Sequence, residues 1–142
     1  MTLYLDTSSL MKLHVAEPGS DKVREAVSAA TVAVTSNIAY PETRAVLARR
    51  RRDKTLTPQA FRAAKRDFET DWPTYIVVPT TEALCREAGE LAERYSLRGF
   101  DSIHLASFAE ILRQLQGGDD VQFSSFDDRL NGAARRLART LK

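Results

Sequence analysis

Short apolar runs alternate with amphipathic segments along the chain. The runs have strand length and are rich in branched or aromatic residues: Leu3–Leu5, Thr31–Thr35, Tyr75–Val78 and Val121–Phe123. The segments between them repeat apolar residues every three or four positions, as in Leu84, Ala88 and Leu91, which predicts helices. Regular alternation of strand and helix predicts an α/β fold, with a parallel sheet between two layers of helices.

Capping and breaking residues predict where the helices begin and end. The expected caps or first residues are Thr7, Ser20, Ser36 or Asn37, Thr57, Thr81, Asp101 and Asp127. Expected breaks lie at Pro18-Gly19, Arg98-Gly99 and Gly117-Gly118. Pro41 comes early in the third helix and lacks the N–H of the helical ladder, so a kink or a delayed start is expected there.

Length and composition indicate one globular domain over residues 1–142. The chain has 142 residues, of which 43% are hydrophobic and 28% charged, as is usual for such a domain. No apolar run approaches the roughly 20 residues that span a bilayer, so no membrane insertion is expected. The chain enters Leu3–Leu5 without a basic lead or an apolar signal core, which predicts a cytoplasmic protein.

Cys85 is the only cysteine of the sequence. It excludes an intrachain disulfide and a cysteine-based zinc site. Since it lies within a helical pattern, it is expected to be a small buried apolar residue without chemistry of its own.

Basic residues are concentrated in two segments although the net charge is only +2. Between Arg49 and Arg66 there are eight basic residues and one acid, and the segment from Arg129 to the end is also basic. These residues either form solvated helix faces or attract the phosphates of a nucleic acid. The predicted RNA contacts are Arg50, Arg51, Lys54 and Arg98.

Four acids lie where a predicted element begins or ends: Asp6, Glu42, Asp101 and Asp127. Taken singly, each has an ordinary explanation as a helix cap or a first-turn charge. Ligands of parallel sheets bind outside the carboxyl ends of the strands, and Asp6 and Asp127 follow strands there. Two carboxylates about 4 Å apart repel by roughly 4 kcal/mol at an effective dielectric of 20. A converged group therefore favours a cation such as Mg²⁺ or Mn²⁺.

The order and spacing of four short motifs resemble the PIN domain, and within it the VapC-type toxins of toxin–antitoxin pairs. The motifs are Leu5-Asp6-Thr7-Ser8, Glu42, Phe100-Asp101-Ser102-Ile103-His104-Leu105-Ala106 and Ser125-Phe126-Asp127. The resemblance covers essentially the whole chain. It implies a three-layer α/β/α fold whose central parallel sheet has four to five strands.

The same resemblance implies a Mg²⁺- or Mn²⁺-dependent endoribonuclease. Asp6, Asp101 and Asp127 would bind metal, and Glu42 would complete the site or orient the attacking water. Ser8 and Ser125 would support the acids, and Asp128 is an alternative to Asp127. The implied partners are RNA and a cognate antitoxin that blocks the acidic site, with the toxin a homodimer. An apolar groove for the antitoxin near Phe61, Phe68 and Trp72 is one interpretation, but aromatic residues at that helical spacing are more often part of the core.

Three alternatives remain open at the level of sequence. One is an RNA-binding module with a degenerate site, in which the acids only cap helices. Another is an aspartyl phosphatase or phosphotransferase with Asp6 as nucleophile, although Ser8 stands where such enzymes often have a second Asp. Histidine catalysis without metal is disfavoured because His14 and His104 have no evident partner. His104 is expected to be a partly buried helix residue or to support a carboxylate.

Overall fold

The computed structural model describes residues 1–115 and 120–141. The strands are β1 (Thr2–Leu5), β2 (Val32–Ser36), β3 (Ile76–Val78) and β4 (Val121–Ser124). The helices are α1 (Thr7–His14), α2 (Ser20–Ala29), α3 (Ala39–Arg52), α4 (Pro58–Asp71), α5 (Glu82–Tyr95), α6 (Gly99–Gln114) and α7 (Asp128–Thr140). A 3-10 helix covers Trp72–Thr74. The break expected at Gly117-Gly118 lies outside the described residues.

The four strands form one parallel sheet in the order β3-β2-β1-β4. Tyr4 of β1 is level with Val34 of β2 on one side and with Phe123 of β4 on the other. The chain builds outward from β1 through β2 to β3 and then returns to the opposite side of β1 as β4. The predicted parallel α/β sheet is confirmed, with four strands in the part of the chain that the structure describes.

Alternate residues of β1 enter different cores, which makes the fold three-layered. Tyr4 is buried in a cluster with residues of α5, α6 and α7, among them Leu105 and Leu130. Leu3 and Leu5 point to the other face and join a cluster with Leu10 of α1 and Val23 of α2. Helices thus cover both faces of the sheet, as parallel strands require. None of the helices in the described ranges combines the length and apolar character needed to cross a membrane.

The aromatic side chains of α4 belong to the interior. Phe68 is 0% exposed, and its ring centroid lies 5.5 Å from those of His14, Tyr40 and Trp72. Phe61 and Trp72 are partly buried beside other apolar residues. The expected antitoxin groove near Phe61, Phe68 and Trp72 is therefore wrong for Phe68, which no partner can reach from the surface.

The helix α3 is continuous through Pro41 and starts one or two residues later than a cap at Asn37 or Ser36 implies. The helix begins at Ala39, which makes Pro41 its third residue. The first four N–H groups of a helix have no partner within it, so a proline costs no hydrogen bond there. The N-cap is Ile38, whose N–H donates to Ser36 Oγ at 3.2 Å, rather than Ser36 or Asn37.

Two other expected helix starts are displaced. Gly19, in a left-handed conformation, is the N-cap of α2. Ser20 instead donates its hydroxyl to the carbonyl of Val15. α6 begins at Gly99 with Arg98 as N-cap, so Asp101 lies in the first turn rather than at the start. The predicted break at Arg98-Gly99 is the junction between α5 and α6.

Cys85 is exposed, which corrects the expectation of a buried thiol. The buried face of α5 consists of Leu84, Ala88 and Leu91. Cys85 follows Leu84 by one residue, and successive helical residues differ by about 100° around the axis. Its side chain therefore leaves the buried stripe.

Candidate active site

The four predicted acids lie on elements that begin beyond the carboxyl ends of the strands. Asp6 directly follows β1, and Asp127 lies three residues after the end of the neighbouring strand β4. Strand order reverses direction between these two strands, and such a switch point is where open α/β sheets bind ligands. Glu42 and Asp101 lie in the first turns of α3 and α6.

Asp6 is held firmly and is only 4% exposed. Its Oδ1 accepts hydrogen bonds from Ser8 Oγ at 2.7 Å and from the Ser9 N–H at 3.0 Å, so Asp6 is the N-cap of α1. Ser8 Oγ in turn accepts from the N–H of Phe126 at 3.0 Å. Ser8 therefore links Asp6 to the loop that carries Asp127.

Asp127 is the N-cap of α7, where its Oδ1 accepts from the Leu130 N–H at 3.0 Å. Its own N–H donates to Ser125 Oγ at 3.0 Å, and Asn131 Nδ2 donates to the Ser125 carbonyl at 2.9 Å. Ser125 thus shapes the turn before Asp127. Asp128 is exposed on the first turn of α7.

Glu42 is fixed by a buried chain of hydrogen bonds that joins four elements. Its Oε1 accepts from Thr7 Oγ1 at 2.6 Å and lies 3.0 Å from His104 Nε2. His104 Nδ1 lies 2.8 Å from the Tyr4 hydroxyl. Burial raises the pKa of Tyr4 well above its usual value, so the phenol keeps its proton and can donate it to Nδ1. An imidazole proton on Nε2 then faces Glu42 Oε1, and both ring nitrogens have a partner.

His104 is 2% exposed, so it is fully rather than partly buried. Its Nε2 contacts the carboxylate of Glu42 rather than that of Asp101, so support of a carboxylate stays a prediction, now with Glu42 as the group concerned. Neither Thr7 nor Tyr4 was predicted to contact Glu42 or His104. Thr7 has a signal in retrospect, since it is a polar residue in the turn directly after the central strand. Tyr4 has none, because an aromatic residue within an apolar strand indicates only core.

The pKa of Asp101 is affected by the charges of the other acids. Burial raises its pKa above the usual value, and the neighbouring Asp127 and Asp6 raise it as well. His104 and Arg98 act in the opposite direction. Asp127, rather than Asp128, is the neighbour that raises the pKa. Three carboxylates from distant parts of the chain therefore share one electrostatic environment.

The donor set suits a hard divalent cation. In Asp6, Glu42 and Asp127, one carboxylate oxygen is held by protein donors, and the second accepts no hydrogen bond from the described residues. Free carboxylate oxygens are the ligands that Mg²⁺ and Mn²⁺ prefer, and a cation would offset the repulsion around Asp101. Within 1–115 and 120–141, no three acidic, His or Cys side chains already have the spacing for one ion. A cation would therefore require side chains to adjust, and Asp101 and Asp127 are only half-buried.

The predicted RNA contacts fall into two places. Arg98 lines a cleft of about 410 Å³ together with Glu42, Phe100 and Asp101. Arg50 lies eight residues after Glu42, or about 12 Å further along α3, and its Nη1 bonds Glu17 Oε2 at 2.8 Å.

Arg51 and Lys54 are exposed near the same distant end of α3, with Arg51 packed over the Phe61 ring at 5.1 Å. Only Arg98 among the four adjoins the acids. A separate cleft of about 460 Å³, between β3 and helices α5 and α6, does not include the acids.

A family model described as PIN domain matches residues 3–136, which is nearly the whole chain. The chain therefore belongs to the PIN domain family, as its four acidic motifs predicted.

Within this family the chain is similar to VapC proteins. It is 38% identical over 105 residues to Ribonuclease VapC45 of Mycobacterium tuberculosis strain CDC 1551 / Oshkosh, an alignment that covers 74% of this chain and 73% of that one. The same identity and coverage hold for Ribonuclease VapC49 of Mycobacterium tuberculosis strain ATCC 25618 / H37Rv.

Among solved structures, the fold resembles the crystal structure of Mycobacterium tuberculosis VapC20, described as a sarcin-ricin loop cleaving toxin. The TM-score is 0.66, with 92% of this chain and 94% of that one covered. Sequence identity is 21%, so this likeness concerns the fold alone.

Proposed function

We propose that this protein is a divalent-metal-dependent endoribonuclease and the toxin of a toxin–antitoxin pair. The observation that carries the proposal is the shared environment of Asp101, Asp127 and Asp6, which the charge of a cation would neutralise. The ribonuclease names of the relatives that are 38% identical support the same reaction.

The chemistry follows from the residue types. Asp6, Asp101 and Asp127 would hold Mg²⁺ or Mn²⁺, with Glu42 as the fourth acid. A bound divalent ion lowers the pKa of water and offsets the charge that develops on phosphorus. Glu42 keeps one carboxylate oxygen on Thr7 and His104, which leaves the other to orient metal or water. Ser8 and Ser125 position Asp6 and Asp127.

The partners in this proposal are RNA and a cognate antitoxin, which the VapC names of the relatives support. An acidic site can be blocked by an arginine from another chain, since guanidinium binds carboxylates in a bidentate manner. Arg98 is the favoured RNA contact, whereas the ion pair of Arg50 with Glu17 favours a structural role. The homodimer and the cytoplasmic location stay predictions from the sequence.

Cleavage of a labelled generic RNA with and without Mn²⁺ tests the nuclease. Asp6→Asn and Asp101→Asn are expected to reduce the rate by at least about 100-fold, because loss even of groups that only support metal ligands costs 10–100-fold. Asp127→Asn and Asp128→Asn form a matched pair of adjacent acids, in which only the Asp127 variant should lose activity. If Asp6→Asn and Asp101→Asn cut as fast as the wild type, the acids only cap helices and the proposal is wrong.

A further inference from the structure

Phe100 is exposed directly beside the acids. Its side chain is 60% exposed, more than any other large apolar side chain in the described residues. It is the second residue of α6 and immediately precedes Asp101. A ring of this size would normally be buried, since burial of a Phe side chain contributes about 1.5–3 kcal/mol. What distinguishes it from the other exposed apolar residues is its place, directly beside Asp101.

The space around Phe100 is open and bordered by charged residues. Phe100 lines the cleft of about 410 Å³ that also contains Glu42, Arg98 and Asp101. A Cβ placed on the adjacent Gly99 would meet nothing within 4 Å. The Phe100 ring and the Arg98 guanidinium thus border the same cleft as the carboxylates of Glu42 and Asp101.

We infer that Phe100 and Arg98 form a nucleotide-binding position of the site. The Phe100 ring stacks on one unpaired base, and Arg98 pairs with an adjacent phosphate. Aromatic rings stack on any base that is splayed out of a helix, and arginine recognises phosphate oxygens. A base held on Phe100 brings its backbone towards Asp101, the next residue. The assignment rests on the proposed function and adds the residues that position the substrate.

The surroundings of Phe100 favour a nucleotide over a protein partner. Surfaces that dock proteins form contiguous apolar patches of several hundred Å². Here the other side chains that border the cleft, those of Glu42, Arg98 and Asp101, are charged, and Phe100 is the only apolar one among them. The Phe100 ring can stack on a base, and the Arg98 guanidinium beside it can bind the phosphate of the same strand.

Binding of RNA in the absence of metal and cleavage provides the test. The probe is a fluorescein-labelled single-stranded RNA of about ten nucleotides, within the range that such sites cover, measured by fluorescence anisotropy in EDTA. All variants carry Asp6→Asn, so that no strand is cut. Phe100→Leu is expected to raise Kd roughly tenfold, and Phe100→Trp is expected to keep or improve it, because stacking needs an aromatic face. Arg98→Gln should weaken binding and reduce its dependence on salt.

Ile76 and Leu115 provide matched controls. Both are exposed apolar residues, at 51% and 44%. Ile76 begins β3 at the opposite edge of the sheet, and Leu115 lies about 22 Å from Phe100 along α6. Ile76→Ala and Leu115→Ala should leave Kd unchanged.

The inference is overturned if Phe100→Leu binds like the parent, if Phe100→Trp binds no better than Phe100→Leu, or if the control variants weaken binding equally. The nuclease assignment is judged separately, by cleavage with Mn²⁺. A wild-type protein that binds RNA through Phe100 but does not cut it would contradict the proposed reaction. It would still support the nucleotide-binding position.

Discussion

Hydrogen bonds hold one carboxylate oxygen in each of three acids, Asp6, Glu42 and Asp127. The partners are hydroxyl, imidazole or backbone groups. This fixation limits the rotation of each carboxylate while a second oxygen stays available. Asp101 accepts no hydrogen bond from the described residues, and its pKa is raised. At the scale of single residues, Asp101 is therefore the acid whose charge costs the folded protein most.

Asp101→Asn is expected to raise the melting temperature of the metal-free protein at neutral pH while it abolishes cleavage. The pKa of Asp101 is higher in the folded than in the unfolded state, so the folded state binds its proton more tightly. The resulting stability is present below the unfolded pKa of about 3.9 and is lost as pH rises through the folded pKa. Above that range the charged Asp101 opposes folding, and asparagine removes the charge.

Thermal unfolding of both proteins in EDTA between pH 4 and pH 8 measures this effect. The difference in melting temperature should grow with pH over the acidic range and then become constant. Asp128→Asn is the control, because Asp128 is exposed. A lower melting temperature for Asp101→Asn at neutral pH would contradict the prediction.

His104 is expected to act by positioning Glu42. His104→Leu removes the donor to Glu42 Oε1, and kcat should fall by about 10–100-fold with a smaller change in KM. His104→Gln keeps a side-chain N–H donor and should recover part of that loss. Tyr4→Phe, which removes the hydroxyl that contacts His104 Nδ1, should show a weaker effect in the same direction.

The recovery by glutamine separates positioning from general packing. Circular dichroism melting identifies any variant that fails through loss of fold. Wild-type kcat in His104→Leu, or equal loss in the leucine and glutamine variants, would count against a positioning role.

At the scale of elements, the site depends on how α1 and the turn before α2 support the β4–α7 loop. Ser8 of α1 accepts from the Phe126 N–H, and Lys12 Nζ lies 4.8 Å from the centroid of the Phe126 ring. Gly19 has φ +98°, and a Cβ added there would lie 2.8 Å from Phe126 Cε1 and 2.9 Å from Lys12 Cδ. The absence of a side chain at Gly19 therefore leaves the space that the Phe126 ring occupies.

Gly19→Ala is expected to lower the free energy of unfolding by about 1–2 kcal/mol, the usual cost of a left-handed conformation in a residue with a Cβ. The contact with Phe126 should add to this loss and reduce cleavage through displacement of the loop that carries Asp127. Urea unfolding and RNA cleavage measure the two effects.

Gly89→Ala is the matched control. Gly89 lies within α5, and a Cβ there would meet nothing within 4 Å. Alanine should stabilise that helix by about 0.5–1 kcal/mol without altering cleavage. Equal effects of the two substitutions would show that the conformation of Gly19 is unimportant.

At the scale of the whole molecule, the sheet topology brings the acids together. Because β4 returns beside β1, Asp127 becomes a spatial neighbour of residues at the other end of the chain. The Asp6 N–H donates to the Ser124 carbonyl at 3.1 Å, which continues the β1–β4 ladder directly into the site. Formation of the site and formation of the fold are thus coupled.

Mn²⁺ is expected to raise the stability of the whole fold. A ligand that binds only the folded state contributes about 2.7 kcal/mol at one hundred times its Kd. Calorimetry with increasing Mn²⁺ should show a rising melting temperature for the wild type, and EDTA should reverse it. Asp6→Asn and Asp101→Asn should lose most of the shift. An unchanged wild-type melting temperature at millimolar Mn²⁺, together with EDTA-resistant cleavage, would exclude the metal site.

Patterns within one element were predictable from sequence. Strand length, helical spacing and the caps at Thr57 and Thr81 depend on neighbours a few residues away, and the structure has them. Errors arose where local rules left two outcomes. Pro41 breaks a helix interior but is harmless in a first turn, and its position was ambiguous by two residues. Cys85 follows a helical pattern, yet a shift of one residue decides between core and solvent.

The sequence by itself determined the alternation of strands and helices, the four acids at element ends and membership of the PIN domain family. These features are local or follow a fixed order along the chain. Only the tertiary structure decided that His104 and Thr7 hold Glu42, that Asp127 rather than Asp128 influences Asp101, and that Phe100 stays exposed. The Thr7–Glu42 and His104–Glu42 contacts join residues 35 and 62 positions apart. Such contacts depend on how helices pack on the sheet, which no periodicity within a segment records.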